Sequence, residues 1–367
     1  MKRFIILIVL LLSLLAGCGR SARMPNGNKK TDNESTSNQT ITEATDTAEN
    51  QRAELLKAKD FFLFEENVFM DFKGTGNEFA EYKTYVDYVK DDIVQIRSIN
   101  PGTVSVFVYQ YKDGSIVRLF SRGETYYLYD YTSMEENEEI IIKEPIKIGT
   151  TWSVGESTTR SITAIDKEVS TPSGKYKALE ITTESPNSII KDYYVKDIGK
   201  VKSEFVSKED KSFTVISELQ SIEKNASFVQ DIKFYYPDFI NDRIISSVKT
   251  IHFRTNQDIK KVFEDGLKEP LQGQDLKGTL TPNVKILDIR LDDMKGIVAI
   301  DFSSELVKEM NAGTSYELMI LDCIANTFGD YFQKDKVIIT LEGKPYSSGH
   351  ILMREGEYIT VSKEKVK

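Results

Sequence analysis

Reactive and cross-linking residues are scarce in this chain of 367 residues: two cysteines (Cys18 and Cys323), two histidines (His252 and His350) and one tryptophan (Trp152). Two cysteines make no disulfide framework, so an exported protein of this composition must rest on its own packing, and the length suffices for two cores. Two histidines cannot assemble a metal cluster unaided. No Cys-x-x-Cys, His-Glu-x-x-His, Gly-x-Ser-x-Gly or phosphate-loop pattern occurs, and the pair Gly74 and Gly76 lacks both a third glycine and a following helix cue. Cys323 falls on the apolar face of a helical segment, where a thiol packs as a small hydrophobe. The expectation is a protein with no catalytic residue, no metal site and no cofactor. Positive charge is also short: 48 Lys and Arg stand against 57 Asp and Glu, a net charge of −9. There is no basic stripe, which excludes nucleic acid as a partner.

Long apolar runs are missing everywhere except at the N-terminus. Lys2 and Arg3 precede an uncharged stretch, Phe4 to Leu15, followed by Ala16, Gly17 and Cys18. Twelve residues cover about 18 Å as a helix, short of the ~30 Å hydrocarbon core. The pattern is that of a secretory signal peptide over residues 1–17. The sequence "LLSLLAGCG" resembles the lipobox of bacterial lipoproteins. That resemblance implies cleavage before Cys18 and a thiol that carries diacylglycerol with palmitate-type chains, two of which hold far better than one. Loss of residues 1–17 removes two positive charges and leaves the remainder at −11. Such an acidic body is repelled by anionic lipid, so the anchor must do the holding. Residues 18–50 have no aromatic residue and few aliphatics. Nothing there drives collapse, and the segment reads as a tether spanning about 30 Å as a random coil.

Residues 51–224 are expected to form a β-rich domain. Only 50–65, "NQRAELLKAKDFFLFE", looks helical. From Val104 onward, apolar residues alternate: strand, turn at Asp113-Gly114, strand, turn at Arg122-Gly123, strand through 132. Similar alternation continues to residue 222, so the spacing predicts an antiparallel meander of eight or more strands, curved or closed to a half-barrel so that no flat edge is left exposed. The hairpin "TPSGKYKALEI" resembles those of exported bacterial β-domains, some of them lipid-carrier-like half-barrels. Tyrosines crowd residues 82–131 and read as residents of a pleated, half-buried face rather than a stacking surface. Trp152 reads as a core or clasp residue. The acidic run 135–139 lacks the spacing of a calcium loop and reads as solvated loop.

After residue 228 the pattern changes. Strands at 228–238 and 244–256 lead to Asp258, a helix cap, and to Ile259, Val262, Phe263 and Leu267 on one helical face stopped by Pro270. A hairpin turning at 292–296 follows. Residues 315–332 read as an amphipathic helix with Tyr316, Met319, Ile320, Cys323 and Thr327 on one side, and "KVIITLEGKP" closes the unit. "KFYYPD", "LTPNVKILDI", "GIVAIDFSSEL", "ANTFGDYF" and "VIITLEGK" resemble the GerMN domain of sporulation and spore-germination lipoproteins. The chain departs from that pattern at Lys249, where arginine is usual, and at Glu269, where glycine is favoured. The fold class expected is α+β: the β-meander domain, then a small GerMN-like domain over 228–345, then a C-terminal extension, 346–367.

The resemblance implies binding or scaffolding on the extracytoplasmic face of the cell membrane, in sporulation, germination or envelope assembly. Expected partners are the membrane, through the anchor, and a protein or cell-wall glycan; the binding residues are unknown. Alternatives are a carrier with a dry cavity lined by Phe, Ile and Val within residues 80–220, or an accessory to a wall hydrolase.

Overall fold

Alternating apolar residues drive twelve strands into one antiparallel sheet: β1 (Phe69–Thr75), β2 (Tyr82–Lys90), β3 (Ile93–Ile99), β4 (Val104–Lys112), β5 (Ser115–Arg122), β6 (Glu139–Lys143), β7 (Thr151–Ser153), β8 (Thr159–Thr171), β9 (Gly174–Glu184), β10 (Ser188–Val195), β11 (Gly199–Ser207) and β12 (Thr214–Glu223). The structure, a computed structural model, describes residues 56–271, 273 and 276–367. Cys18, the signal segment and the tether lie outside the described residues, as do 51–55 of the expected helix. The strand order is β6-β5-β4-β3-β2-β1-β12-β11-β10-β9-β8-β7. Two six-stranded meanders thus join through their first and last strands, and β6 and β7 are the two ends of the sheet. Register shifts in the β1–β12, β2–β3, β4–β5, β8–β9 and β10–β11 pairs bend it. Asp113 and Gly114, at φ +50° and +67°, form the tight turn expected of that dipeptide.

Two local expectations fail. Residues 58–61 form a single 3-10 turn instead of an amphipathic helix. Ala58, Phe61 and Leu63 are buried, and the segment lies across one end of the sheet, with Asp60 O accepting from Asp197 N at 2.8 Å and Ala58 N donating to Glu144 Oε1 at 2.7 Å. Burial on several sides leaves no solvent face for a helix of this pattern. Residues 125–132 form no strand, because β6 takes the place beside β5 and their carbonyls are claimed elsewhere.

The claimant is Arg97. This β3 residue is fully buried, with its guanidinium on both Asp87 carboxylate oxygens (3.2 and 2.9 Å) and on the carbonyls of Thr125 and Tyr127 (2.6 and 2.9 Å). Gln95 donates to Asp87 and Tyr129 O and accepts from Tyr131 N. The 125–131 segment is thereby pinned to the outer face of β2 and β3, with Tyr127, Leu128 and Tyr131 buried. Most of the tyrosines are packed as expected; Tyr126 is exposed.

Against this segment sits the second part of the chain. β13 (Phe228–Asp238) and β14 (Arg243–Phe253) form a hairpin; helix α1 (Ile259–Lys268) follows, capped by Asp258, whose side chain accepts from Lys260 N. β15 (Ile286–Asp292) pairs antiparallel with β16 (Ile297–Phe302), which runs parallel to β17 (Lys336–Leu341). Helices α2 (Glu305–Lys308) and α3 (Thr314–Phe332) make the crossover that a parallel pair requires. Short strands β18 (Lys344–Pro345) and β19 (Ile359–Thr360) border β17, Tyr346 is buried, and Val366 bridges to Ile244. The fold is α+β, dominated by strands, with a near-barrel sheet and a smaller GerMN-like region.

Helix α3 is buried more completely than its sequence suggests. Met319, Ile320, Cys323 and Thr327 are buried, but so are Leu321, Ile324, Ala325, Phe328 and Phe332 on its other sides; Tyr316 is about half exposed. Packing against β13 on one side and the β16–β17 pair on the other removes its polar face.

One apolar cluster runs through both parts, joining Val106, Val108, Phe120 and Tyr131 to Phe234, Phe263, Phe328 and Phe332. Polar bonds reinforce it: Tyr85 OH donates to Phe253 O at 3.0 Å, Thr255 Oγ1 to Val86 O at 2.6 Å, and Leu128 N to Tyr331 OH at 2.9 Å.

Two stability predictions follow from these contacts. Arg97→Met leaves the Asp87 carboxylate buried and unpaired, at a cost of about 3–5 kcal/mol, while Arg97→Met with Asp87→Leu recovers most of it. Denaturant unfolding of the three proteins measures this, and a single variant as stable as the native chain refutes it. Glu264 is the second case. Burial raises its pKa, but Ile286 N, Lys268 and Lys285 outweigh burial and hold it below the ordinary value. Its contribution is therefore present above about pH 4.3 and lost as pH falls through the lowered folded value. Glu264→Gln should cost about 1.5–3 kcal/mol at neutral pH, and the gap should close on acidification in paired melting curves.

Candidate functional site

The inward residues of a curved sheet face one another, and here they leave a cavity of about 420 Å³. Its wall draws on β1 to β6, β8 and β10 to β12. Phe62 and Leu63, which follow the 3-10 turn, close one end. Much of the lining is apolar: Met70, Phe72, Ile96, Phe107 and Ile141. The dry cavity expected of a carrier is not what forms, however, because five charged side chains also face it: Arg118, Glu139, Arg160, Asp192 and Lys200.

Two of these groups are built from opposite ends of the sheet. β6 and β7 share no ladder of backbone bonds, and side chains bridge the seam. Arg160 of β8 reaches Glu139 Oε1 at 2.8 Å, Thr183 Oγ1 at 2.9 Å and the carbonyl of Ile140; Arg118 of β5 takes the other Glu139 oxygen. Trp152 Nε1 donates to Ile140 O at 3.0 Å while its ring is buried, so the residue is core and clasp at once. Ile142, Ile146, Trp152 and Ile162 pack behind it. Glu139, read from sequence as the end of a solvated acidic loop, is instead the anion shared by two arginines; Glu135, Glu136 and Glu138 are exposed as expected.

The other charged pair comes from β10 and β11. Lys200 Nζ stands 3.0 Å from Asp192 Oδ1, in an ion pair whose angle does not make a hydrogen bond. Tyr82, Tyr109 and Tyr194 surround it. Burial pushes the Tyr82 hydroxyl up to about 12 despite the nearby ammonium. For Lys200, burial lowers the pKa, but Asp192 and the three tyrosines more than offset this and hold it well above the ordinary lysine value. Among the described residues, no hydrogen bond engages the hydroxyls of Tyr82, Tyr109 or Tyr194.

Both carboxylates in the cavity are thus neutralised by cations, which suits binding and does not suit general acid–base work. Cys323 is fully buried, and burial pushes its thiol well up. His252 Nδ1 shares a hydrogen bond with Ser227 Oγ at 3.2 Å, and His350 is exposed in a loop. Among the described residues, no three His, Cys, Asp or Glu side chains are grouped to hold a metal. Also among them, no helix is long and apolar enough to cross a membrane. Alternation betrayed the inward tyrosines; the charged residues carried no local signal, since each becomes a site residue only through a partner eight or more positions away.

A near-closed sheet around an amphiphilic cavity, joined to a small α+β body, defines a β-rich two-part architecture. Residues 233–347, under a third of the chain, match the family model described as "Germane: Sporulation and spore germination", and the chain therefore carries a GerMN-like domain. Within it the two departures from the usual pattern meet: Lys249 Nζ lies 2.6 Å from Glu269 Oε2 and 3.1 Å from Gly266 O. No curated relative matches the chain. Solved structures similar to it include a Bacteroides fragilis protein with a YmcC-like fold (15% identity, TM-score 0.28, 45% of this chain and 99% of that one). A Parabacteroides distasonis protein described as a lipoprotein has 15% identity and TM-score 0.30 over 44% of this chain and 98% of its own. The tandem GerMN domains of the sporulation protein GerM from Bacillus subtilis have 14% identity and TM-score 0.27, over 39% of this chain and 48% of that one.

If the seam is held as described, Arg160→Met should lower stability by about 1.5–3 kcal/mol. Hydrogen exchange should speed up in β6 and β7 far more than in β1 and β12; uniform change across the sheet would contradict the seam.

Proposed function

We propose that the protein is a lipid-anchored, extracytoplasmic binding and scaffold protein acting in sporulation, germination or envelope assembly. The observation that carries this reading is the continuous buried junction between the sheet and the GerMN-like domain, a domain of the sporulation and germination family. A junction with shared aromatic packing and desolvated polar bonds makes the two parts move as one, which a scaffold needs in order to present two surfaces in fixed relation. Cys18 supplies the anchor in this reading, and residues 19–50 the reach from the membrane. The acidic surface keeps the body off anionic lipid, so the partner is a protein or wall glycan met at that distance.

In the native host, Cys18→Ser should abolish acyl labelling and move the protein from the membrane to the soluble fraction. Spore yield or germination should then fall to the level of a deletion strain although the folded protein persists. Acyl label retained on the variant overturns the anchor; a deletion strain with normal sporulation, germination and envelope overturns the process.

A further inference from the structure

The cavity is too polar to be leftover core and too well built to be a packing fault. Water-filled voids are ordinary, but this one gathers the Lys200–Asp192 ion pair and three tyrosine hydroxyls that no protein group hydrogen-bonds. These hydroxyls open onto the cavity rather than being sealed in the core, so they are free to bond what enters it. The charges sum in one direction as well: Arg118, Arg160 and Lys200 face Glu139 and Asp192, leaving one positive charge in excess. The neighbouring wall is apolar, with Phe72 stacked on Tyr82 at 4.4 Å. A volume of about 420 Å³ lies within the ~300–1,000 Å³ of small-molecule sites.

We propose that the inside of the β-sheet binds one medium-chain amphiphile with a carboxylate head. The head meets Lys200 and the hydroxyls of Tyr82, Tyr109 and Tyr194, and the chain lies along Met70, Phe107 and Ile141. A carboxylate answers the three hydroxyls and the net positive charge, while Asp192 already shares Lys200. It accepts hydrogen bonds where the wall is rich in donors, and its single negative charge balances the excess. Entry is from the end opposite Phe62 and Leu63. Strand alternation puts the β1–β2 and β11–β12 loops there, and they carry two exposed aromatic residues, Phe79 and Phe213, as an apolar rim. The scaffold reading does not depend on this site and would stand if the cavity bound nothing.

The test is equilibrium dialysis of radiolabelled decanoate against the full-length protein in lipid nanodiscs, with empty nanodiscs subtracted. One saturable equivalent per chain is expected, with 1-decanol at least tenfold weaker. Tyr82→Phe, Tyr109→Phe and Tyr194→Phe combined should weaken decanoate tenfold or more while leaving the unliganded melting temperature unchanged or higher, since the hydroxyls have no protein partner to lose. Ser98→Leu, which narrows the cavity, should weaken binding of both probes. No binding above empty nanodiscs, decanol bound as tightly as decanoate, or full binding by either variant overturns the proposal. So does a triple variant that melts lower or fails to fold, because the hydroxyls would then be holding the structure.

Discussion

A single buried ion pair organises the molecule. Arg97 and Asp87 are both withdrawn from water, and the cost of desolvating two charges is offset because two further donors of the guanidinium find carbonyls. Those carbonyls belong to residues 125–127, so the pair fixes a loop as well as itself. The loop carries the aromatic residues that the GerMN-like domain packs against: Tyr127 and Tyr129 meet Phe332, and Phe228 covers the guanidinium at 4.8 Å. The outer face of β2 and β3 thereby becomes the floor of an interdomain core.

The opposite side of the sheet has the reverse problem. Two meanders joined at β1 and β12 must end somewhere, and β6 and β7 would be exposed edges inviting pairing with other chains. The chain closes them with side chains instead of backbone bonds, through Trp152, Arg160, Glu139 and Arg118. A seam of this kind needs charged groups, and they point partly inward. The polarity of the cavity is thus a consequence of how the sheet is closed, and Lys200 with Asp192 adds to it. An interior filled with Leu and Ile would have been more stable and would have had no room.

The GerMN-like domain is rigid for a different reason. Helix α3 is covered on nearly every side, and Gly266 in α1 lies flat against the Phe234 ring, where a Cβ would collide. Lys249 sits over the Phe234 and Tyr236 rings and reaches Glu269, so the two residues that depart from the family pattern neutralise each other. Glycine at position 269 alone would leave the Lys249 ammonium without its carboxylate partner.

Strand and helix content was legible because periodicity is local. Val104, Val106 and Val108 announce a strand, and Asp258 followed by Ile259, Val262, Phe263 and Leu267 announces a capped helix, whatever the rest of the chain does. The cysteine and histidine shortage likewise bounded the chemistry before any coordinates. What sequence could not supply was pairing at a distance. Residues 125–132 alternate like a strand, but the place beside β5 went to β6 and their carbonyls went to Arg97. Residues 58–61 look helical, but they cap a sheet end. Glu139 looks solvated, but an arginine from the far end of the sheet reaches it. In each case the local preference is worth a fraction of a kcal/mol per residue, whereas burial and a desolvated hydrogen-bond partner are worth several, and those exist only once the sheet has curved.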